Sequence, residues 1–357
     1  MVRDFNNQIL IDTRIAFGGV AGCGSFGRPA DAWKQIMLKE FPLLAAFRWV
    51  DDNLFVKTVD SPVDLDQIVE RSNKLGVKTN PTKISSFKEE QKYIGLVWNA
   101  TKKTVRLPDD KKYQRIQQLK EFLTPLAVFT YNEVEIMAGR LNHVSYLLPQ
   151  LRCYLNSLYR WMISWINRSH PLPVPADARI DLDYWLKTLL FFQDTRMIRN
   201  PDPTEIGWVG DASTSFGIGI LIGRRWAQFQ LTNEWDEGPA PKRDIAWLET
   251  VAIRLGLLVL AKLGAIPGKA FIAWTDNTTT ENLISKRKSN HLNANEEWKV
   301  IQDTLIKMQI DITSRRVTSK NNRADALSRG DCSKHLPQDM VPIVVPFDLE
   351  CRMFQSF

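Results

Sequence analysis

Four carboxylates in the C-terminal half of this chain have types and spacing that can do chemistry together. Asp211 lies in Trp208-Val209-Gly210-Asp211-Ala212, where an apolar strand meets a bend of small residues, Ser213-Thr214-Ser215. Glu249 sits near the start of a long helical run after Ile245. Asp276 ends the apolar stretch Phe271-Ile272-Ala273-Trp274-Thr275. Asp325 falls within Asn321-Asn322-Arg323-Ala324-Asp325-Ala326-Leu327-Ser328-Arg329. Alone, each would read as a solvated surface charge. If the fold brings them together, they can hold a hard divalent cation, which prefers oxygen ligands. A second pair, Asp51-Asp52, stands between the apolar runs Phe47-Val50 and Leu54-Val56. Neighbouring carboxylates at a turn repel unless solvent or a cation offsets them.

The elements that would position the first group are readable. Ile218, Ile220 and Ile222 alternate at period two, which predicts a strand paired with the Asp211 strand. Trp226 to Leu231 predicts a third strand. Val251 to Ile266 is the most apolar run, but Arg254 and Lys262 interrupt it, so it predicts a core helix and no membrane span.

The order strand Asp, helix Glu, strand-end Asp and C-terminal Asp resembles the ribonuclease H family over roughly residues 205–330. Asn-Asn-Arg-Ala-Asp-Ala-Leu-Ser-Arg is similar to that family's form in gypsy-type and DIRS-type retroelements. The resemblance implies two Mg²⁺ ions, with Mn²⁺ as a substitute, and hydrolysis of RNA in RNA–DNA hybrids. Asp211 would bridge the ions, Glu249 and Asp276 would flank them, and Asp325 would complete the second site from the rim. Ser213, Asn277 and Thr278 would meet sugar and phosphate oxygens. The mobile His that cellular members carry before the last Asp has no counterpart in Val317-Asn321.

Residues 1–100 resemble the palm of a reverse transcriptase, with Asp51 and Asp52 as its catalytic, metal-binding hairpin. Phe17-Gly18-Gly19 resembles the template- and nucleotide-contacting motif, with Gly18 and Gly19 against nucleic acid. Leu75 to Lys83 resembles the following helix end and its lysine turn, ending on Lys83, and Tyr93-Ile94-Gly95-Leu96 the primer-grip hairpin. The family's first catalytic Asp lies on an earlier strand, and neither Asp4 nor Asp12 fits that role. The expectation is therefore a polymerase half that does not polymerise. The expected domains are a partial palm at 1–100, thumb or connection helices at 101–170 and a linker with a helix at 171–204. A ribonuclease H-like domain at 205–331 and a tail at 332–357 follow. The class is α/β, with a mixed five-stranded sheet flanked by helices.

Net charge is +7, and residues 101–170 hold eleven basic and five acidic residues, +6 of it. An anionic partner is implied: an RNA–DNA hybrid or another duplex, gripped through Lys111, Lys112 and Arg115. Tyr154, Trp161 and Trp165, with Leu158, stand among Arg152, Arg160 and Arg168 and read more readily as core than as a stacking platform. Thr130-Tyr131-Asn132-Glu133 is a capping-box pattern. The four cysteines have no zinc-like spacing, which fits a reducing intracellular compartment. The opening residues Arg3, Asp4, Asn6 and Asn7 do not read as a secretion signal. The main alternative is a non-catalytic nucleic-acid-binding scaffold or subunit domesticated from a retroelement; pairing with a complete polymerase chain is a third possibility.

Overall fold

The computed structural model describes residues 2–3, 6–10, 22–196 and 202–356. Gly18, Gly19, Asp4 and Asp12 lie outside the described residues. The chain divides into two compact units, 1–108 and 109–357.

In the first unit, helix α1 (Gly22–Glu40) starts well before Pro29 and takes in Gly22, Gly24 and Gly27. Pro29 costs that helix one backbone hydrogen bond. Burial begins beyond it, at Trp33 and Met37, which pack with Val63 and Ile68 in a small core. Strands β1 (Ala45–Trp49) and β2 (Asp52–Val56) form an antiparallel hairpin with Trp49 opposite Asp52. Helix α2 (Leu65–Lys74) opens with an Asp64–Gln67 capping box. Three short antiparallel strands follow, β3 (Glu90–Tyr93), β4 (Leu96–Asn99) and β5 (Thr104–Arg106). Ile94 and Gly95 both take positive φ at the β3–β4 turn, as a two-residue hairpin of matching twist requires.

The second unit begins with a helical layer: α3 (Asp109–Phe122), α4 (Tyr131–Val144), α5 (Asn156–Ile163) and α6 (Ala176–Phe191). Thr130 caps α4 with the reciprocal Glu133 bond, Thr130 N–H donating to Glu133 Oε2 at 2.7 Å. Residues 149–155 form a 3₁₀ turn that leads into α5 at Asn156. Tyr154, Leu158 and Trp161 are buried, and Phe122, Phe129 and Trp161 pack ring against ring. These aromatics belong to the core.

The same unit contains a mixed sheet made of β6 (Thr204–Ala212), β7 (Gly217–Ile222), β8 (Arg225–Leu231), β9 (Ala270–Thr275), β10 (Asp311–Arg316) and β11 (Met353–Gln355). Its order is β10-β9-β6-β7-β8-β11. Strands β6, β7 and β8 are antiparallel neighbours; β6–β9 and β9–β10 are parallel. The sheet thus has the five expected strands plus a sixth, β11, contributed by the C-terminal tail. Helix α7 (Ile245–Lys262) is buried along nearly its whole length, and α8 (Thr278–Lys286) and α9 (Leu292–Met308) complete the layer. Gly256 lets the fully buried Trp208 lie against α7: a Cβ there would come within 2.5 Å of the indole nitrogen. No described helix is long and apolar enough to cross a membrane.

Candidate metal centre

Three of the four carboxylates converge. Ligand oxygens of Asp211, Glu249 and Asp276 all lie within 4.8 Å of one another. Sheet register explains the first pair. Val209 aligns with Trp274 across the parallel β6–β9 pair, and two residues further on Asp211 arrives beside Asp276, just past the end of β9. Glu249 comes from the second turn of α7, whose start is fixed by Asp244 accepting from Trp247 N–H at 3.1 Å.

Asp211 and Glu249 are almost fully buried, and Asp276 is half-buried. Burial raises the Asp211 carboxyl to about 6, and the nearby charges of Asp276 and Asp325 add to the rise. Burial also pushes Glu249 well above the usual carboxylate range, with Asp211 and Asp276 repelling its charge. The Ala212 backbone N–H donates to Glu249 and partly offsets this. Such a group of buried acids resists ionising together unless a cation joins it. A hard divalent ion fits the all-oxygen donor set.

Asp325 opens the short helix α10 (Asp325–Ser328) and stays outside the three-acid cluster. It is half-exposed and paired with Arg329, whose Nε donates to Oδ1 at 3.0 Å. Its charge reaches Asp211, which places it on the rim of the site.

Two further residues belong to the centre. Asn322 donates its amide to Asp211 Oδ1 at 2.7 Å, and the Ser328 hydroxyl donates to Asp211 Oδ2. Both flank Asp325 in the Asn321–Arg329 run, and that proximity in sequence was the only signal for them. Their approach depends on Gly219, which faces Asp211 across the β6–β7 pair. A Cβ on Gly219 would stand 2.5 Å from Leu327 Cβ and 2.8 Å from Ser328 N. Asn277 caps α8, its Oδ1 accepting from Thr279 and Thr280 N–H at 2.8 and 3.2 Å. That oxygen is therefore committed to the helix start beside Asp276, and Ser213 pairs its hydroxyl with that of Ser215 at 2.7 Å.

The other sequence candidates are spread out. Asp51 and Asp52 are exposed at the β1–β2 tip, where Val50 adopts a φ of 55°, strained for a β-branched residue. Among the described residues, no third His, Cys, Asp or Glu joins them in a metal-binding group. Lys83 is exposed at the end of a 3₁₀ turn. Lys111 is exposed, Lys112 donates to the Phe192 carbonyl, and Arg115 is buried with its guanidinium on Gln118. Arg115 shares the inward face of α3 with Leu119 and Phe122 at positions four and seven residues on, so it cannot meet a phosphate at the surface. Of the expected basic trio only Lys111 is exposed, and its ammonium sits beside Gln114 Oε1 at 3.4 Å and Asp110 Oδ2 at 3.9 Å.

No family model and no curated protein matches the chain. Among solved structures it is similar to a foamy viral protease-reverse transcriptase in complex with RNA/DNA hybrid. The TM-score is 0.40 at 13% identity, covering 94% of this chain and 41% of that one. The same foamy viral enzyme in a dRH form with double-stranded DNA gives a TM-score of 0.35 at 14% identity, covering 80% of this chain and 49% of that one. The chain therefore spans less than half the length of either structure. Overlap that loose carries no argument; the fold rests on the strand order.

Proposed function

We infer that residues 205–331 form a metal-dependent nuclease centre that hydrolyses the RNA strand of RNA–DNA hybrids. The observation that carries this reading is the convergence of Asp211, Glu249 and Asp276 from a strand, a helix and a strand end onto one point. The order of these elements is the order that the ribonuclease H resemblance implies, and Asp325 follows on a short C-terminal helix at the rim.

Asp211, Glu249 and Asp276 would hold the divalent ion, Mg²⁺ or in its place Mn²⁺, with Asp325 as ligand for a second. Bound there, the metal supplies an activated water and neutralises charge on the leaving oxygen. The chain's own groups do the positioning. Asn322 and Ser328 engage one Asp211 oxygen each, leaving lone pairs on both for a ligand role. Ala212 N–H orients Glu249. RNA would be told from DNA by its 2′-hydroxyls, which lie in the wide, shallow groove of an A-like duplex.

The test is Mg²⁺-dependent cleavage of labelled RNA in a hybrid, with free RNA and duplex DNA as controls. Cleavage confined to the hybrid supports the reading. An inactive, folded wild type with both Mg²⁺ and Mn²⁺ contradicts it and favours a binding scaffold, as equal cleavage of free RNA contradicts hybrid recognition.

For residues 1–100 we propose a palm remnant that binds nucleic acid without extending a primer. The exposed Asp51–Asp52 tip, which no third acid joins among the described residues, supports it. Primer extension by the chain that is lost in Asp51→Asn contradicts it. A complete polymerase chain is a partner compatible with this role.

A further inference from the structure

The last residue of α8 and the start of its connection to α9 are Lys286-Arg287-Lys288. Arg287 adopts the left-handed conformation, φ 56°, and turns back to bind Asp311 at 2.6 Å. Lys288 lies over the Tyr159 ring at 5.3 Å, and Arg152 over the Tyr146 ring at 5.9 Å. Burial lowers the basicity of Lys288, and the nearby charges of Arg152 and Lys286 add to the effect. Among the described residues, Arg152, Lys286 and Lys288 pair with no carboxylate, whereas Arg160 and Lys299 nearby in sequence each do.

This crowding of like charge is held by a buried amide network. Asn156 donates to the Ser289 carbonyl and to Asn295 Oδ1 at 2.9 Å. Asn295 donates to the Cys153 carbonyl at 3.0 Å and accepts from Ser289 N–H at 3.1 Å. Loop and helical layer are thus fixed to each other, with the cations set in advance. A satisfied buried polar network rigidifies the elements it joins. Helix α8 leads here from the residue after Asn277, and its nine residues measure about 13 Å.

We propose that Arg152, Lys286 and Lys288, with Tyr146 and Tyr159, form one phosphate-binding surface that holds the sugar–phosphate backbone of the hybrid. The surface lies about one α8 length from the three acids. It rests on the hybrid as substrate and adds where the chain grips it. Arg152 and Lys288, partly desolvated against aromatic rings, and the exposed Lys286 suit a phosphodiester backbone. The helical layer then belongs to the substrate track through this patch and not through Arg115.

The experiment uses the full chain and a fluorescent RNA–DNA hybrid in EDTA, so that binding is read without divalent metal. Affinity is measured against salt for wild type, Arg152→Ala, Lys286→Ala, Lys288→Ala and the triple variant. Each lost phosphate contact should weaken binding and reduce the log–log salt slope by about 1. Arg152→Lys should keep the slope. Lys307→Ala, which removes an exposed lysine paired with Asp303 on α9, should change nothing. Unchanged affinity and slope in folded variants, or an equal drop in Lys307→Ala, overturns the proposal. If wild type binds with the expected slope but never cuts, the nuclease reading fails and the surface stands. If hybrid is cut but the variants bind normally, the surface alone fails.

Discussion

Asp51 and Asp52 are adjacent in sequence, yet they sit exposed on a hairpin tip that no third acid joins among the described residues. Asp211, Glu249 and Asp276 are scattered along the chain, yet their oxygens lie within 4.8 Å and two of them are buried. Adjacency in sequence makes the first pair conspicuous; packing makes the second group consequential. Exposed charges are screened by water, and their mutual repulsion costs little. Buried ones have their charged forms penalised, so a cation that joins them has far more to offset. The difference points to the buried group as the place where a divalent ion would have most effect.

The sharpest way to break that comparison is to remove one ligand charge at each place. Asp211→Asn, Glu249→Gln and Asp276→Asn should each lower hybrid cleavage by about 10²–10³-fold, the range seen when one group that stabilises developing charge is lost. Combining two should cost little more than one, since the three act as a unit. Asp325→Asn should be milder, because Asp325 lies on the rim and water can replace part of its role. A cleavage series in Mg²⁺ checks all four.

Next come the groups that hold Asp211. Ser328→Ala and Asn322→Ala should reduce activity about 10–100-fold, as loss of outer-shell partners does. Gly219→Ala should reproduce that loss without removing a polar group, because its methyl would push Leu327 and Ser328 away from the sheet. Full activity in Gly219→Ala would show that α10 does not need its present seat.

A smaller effect is expected at the tail. Asp348 pairs with Arg254 at 2.7 Å on α7, the helix that carries Glu249, and Arg254 also binds Glu297 at 3.0 Å. Asp348 is more than half exposed, so Asp348→Asn should cost only about 1 kcal/mol at pH 7. Arg254 holds the Asp348 carboxyl below its ordinary value. A lowered folded pKa gives stability that is present above the unfolded value of 3.8 and is lost as pH falls through the folded one. The gap between wild type and Asp348→Asn should therefore close below about pH 4. Thermal melts across pH read this directly, and a gap that persists at pH 2 would contradict the ion-pair account.

Much of this was legible in sequence, for identifiable reasons. Period two at Ile218, Ile220 and Ile222 marked β7, and the apolar stretches around Asp211 and Asp276 marked strands. The Thr130–Glu133 cap is a local bond and needed no tertiary knowledge. What stayed hidden depends on packing. Asn322 and Ser328 meet Asp211 only because Gly219 lets α10 descend onto the sheet. Strand β11 is three residues long, too short for a periodic signal, and exists because β8 offers it an edge. Arg115 misled because a cation on a lysine-rich helix reads as surface, although its spacing to Leu119 and Phe122 puts it on the buried face.

The most direct measurement is Mn²⁺ binding, read by titration of wild type against two paired variants. One removes charge at the buried centre, Asp211→Asn with Glu249→Gln; the other removes it at the exposed hairpin, Asp51→Asn with Asp52→Asn. The account predicts that the first pair abolishes specific Mn²⁺ binding and that the second leaves its affinity and stoichiometry unchanged. Binding that survives the first pair and disappears with the second would contradict it.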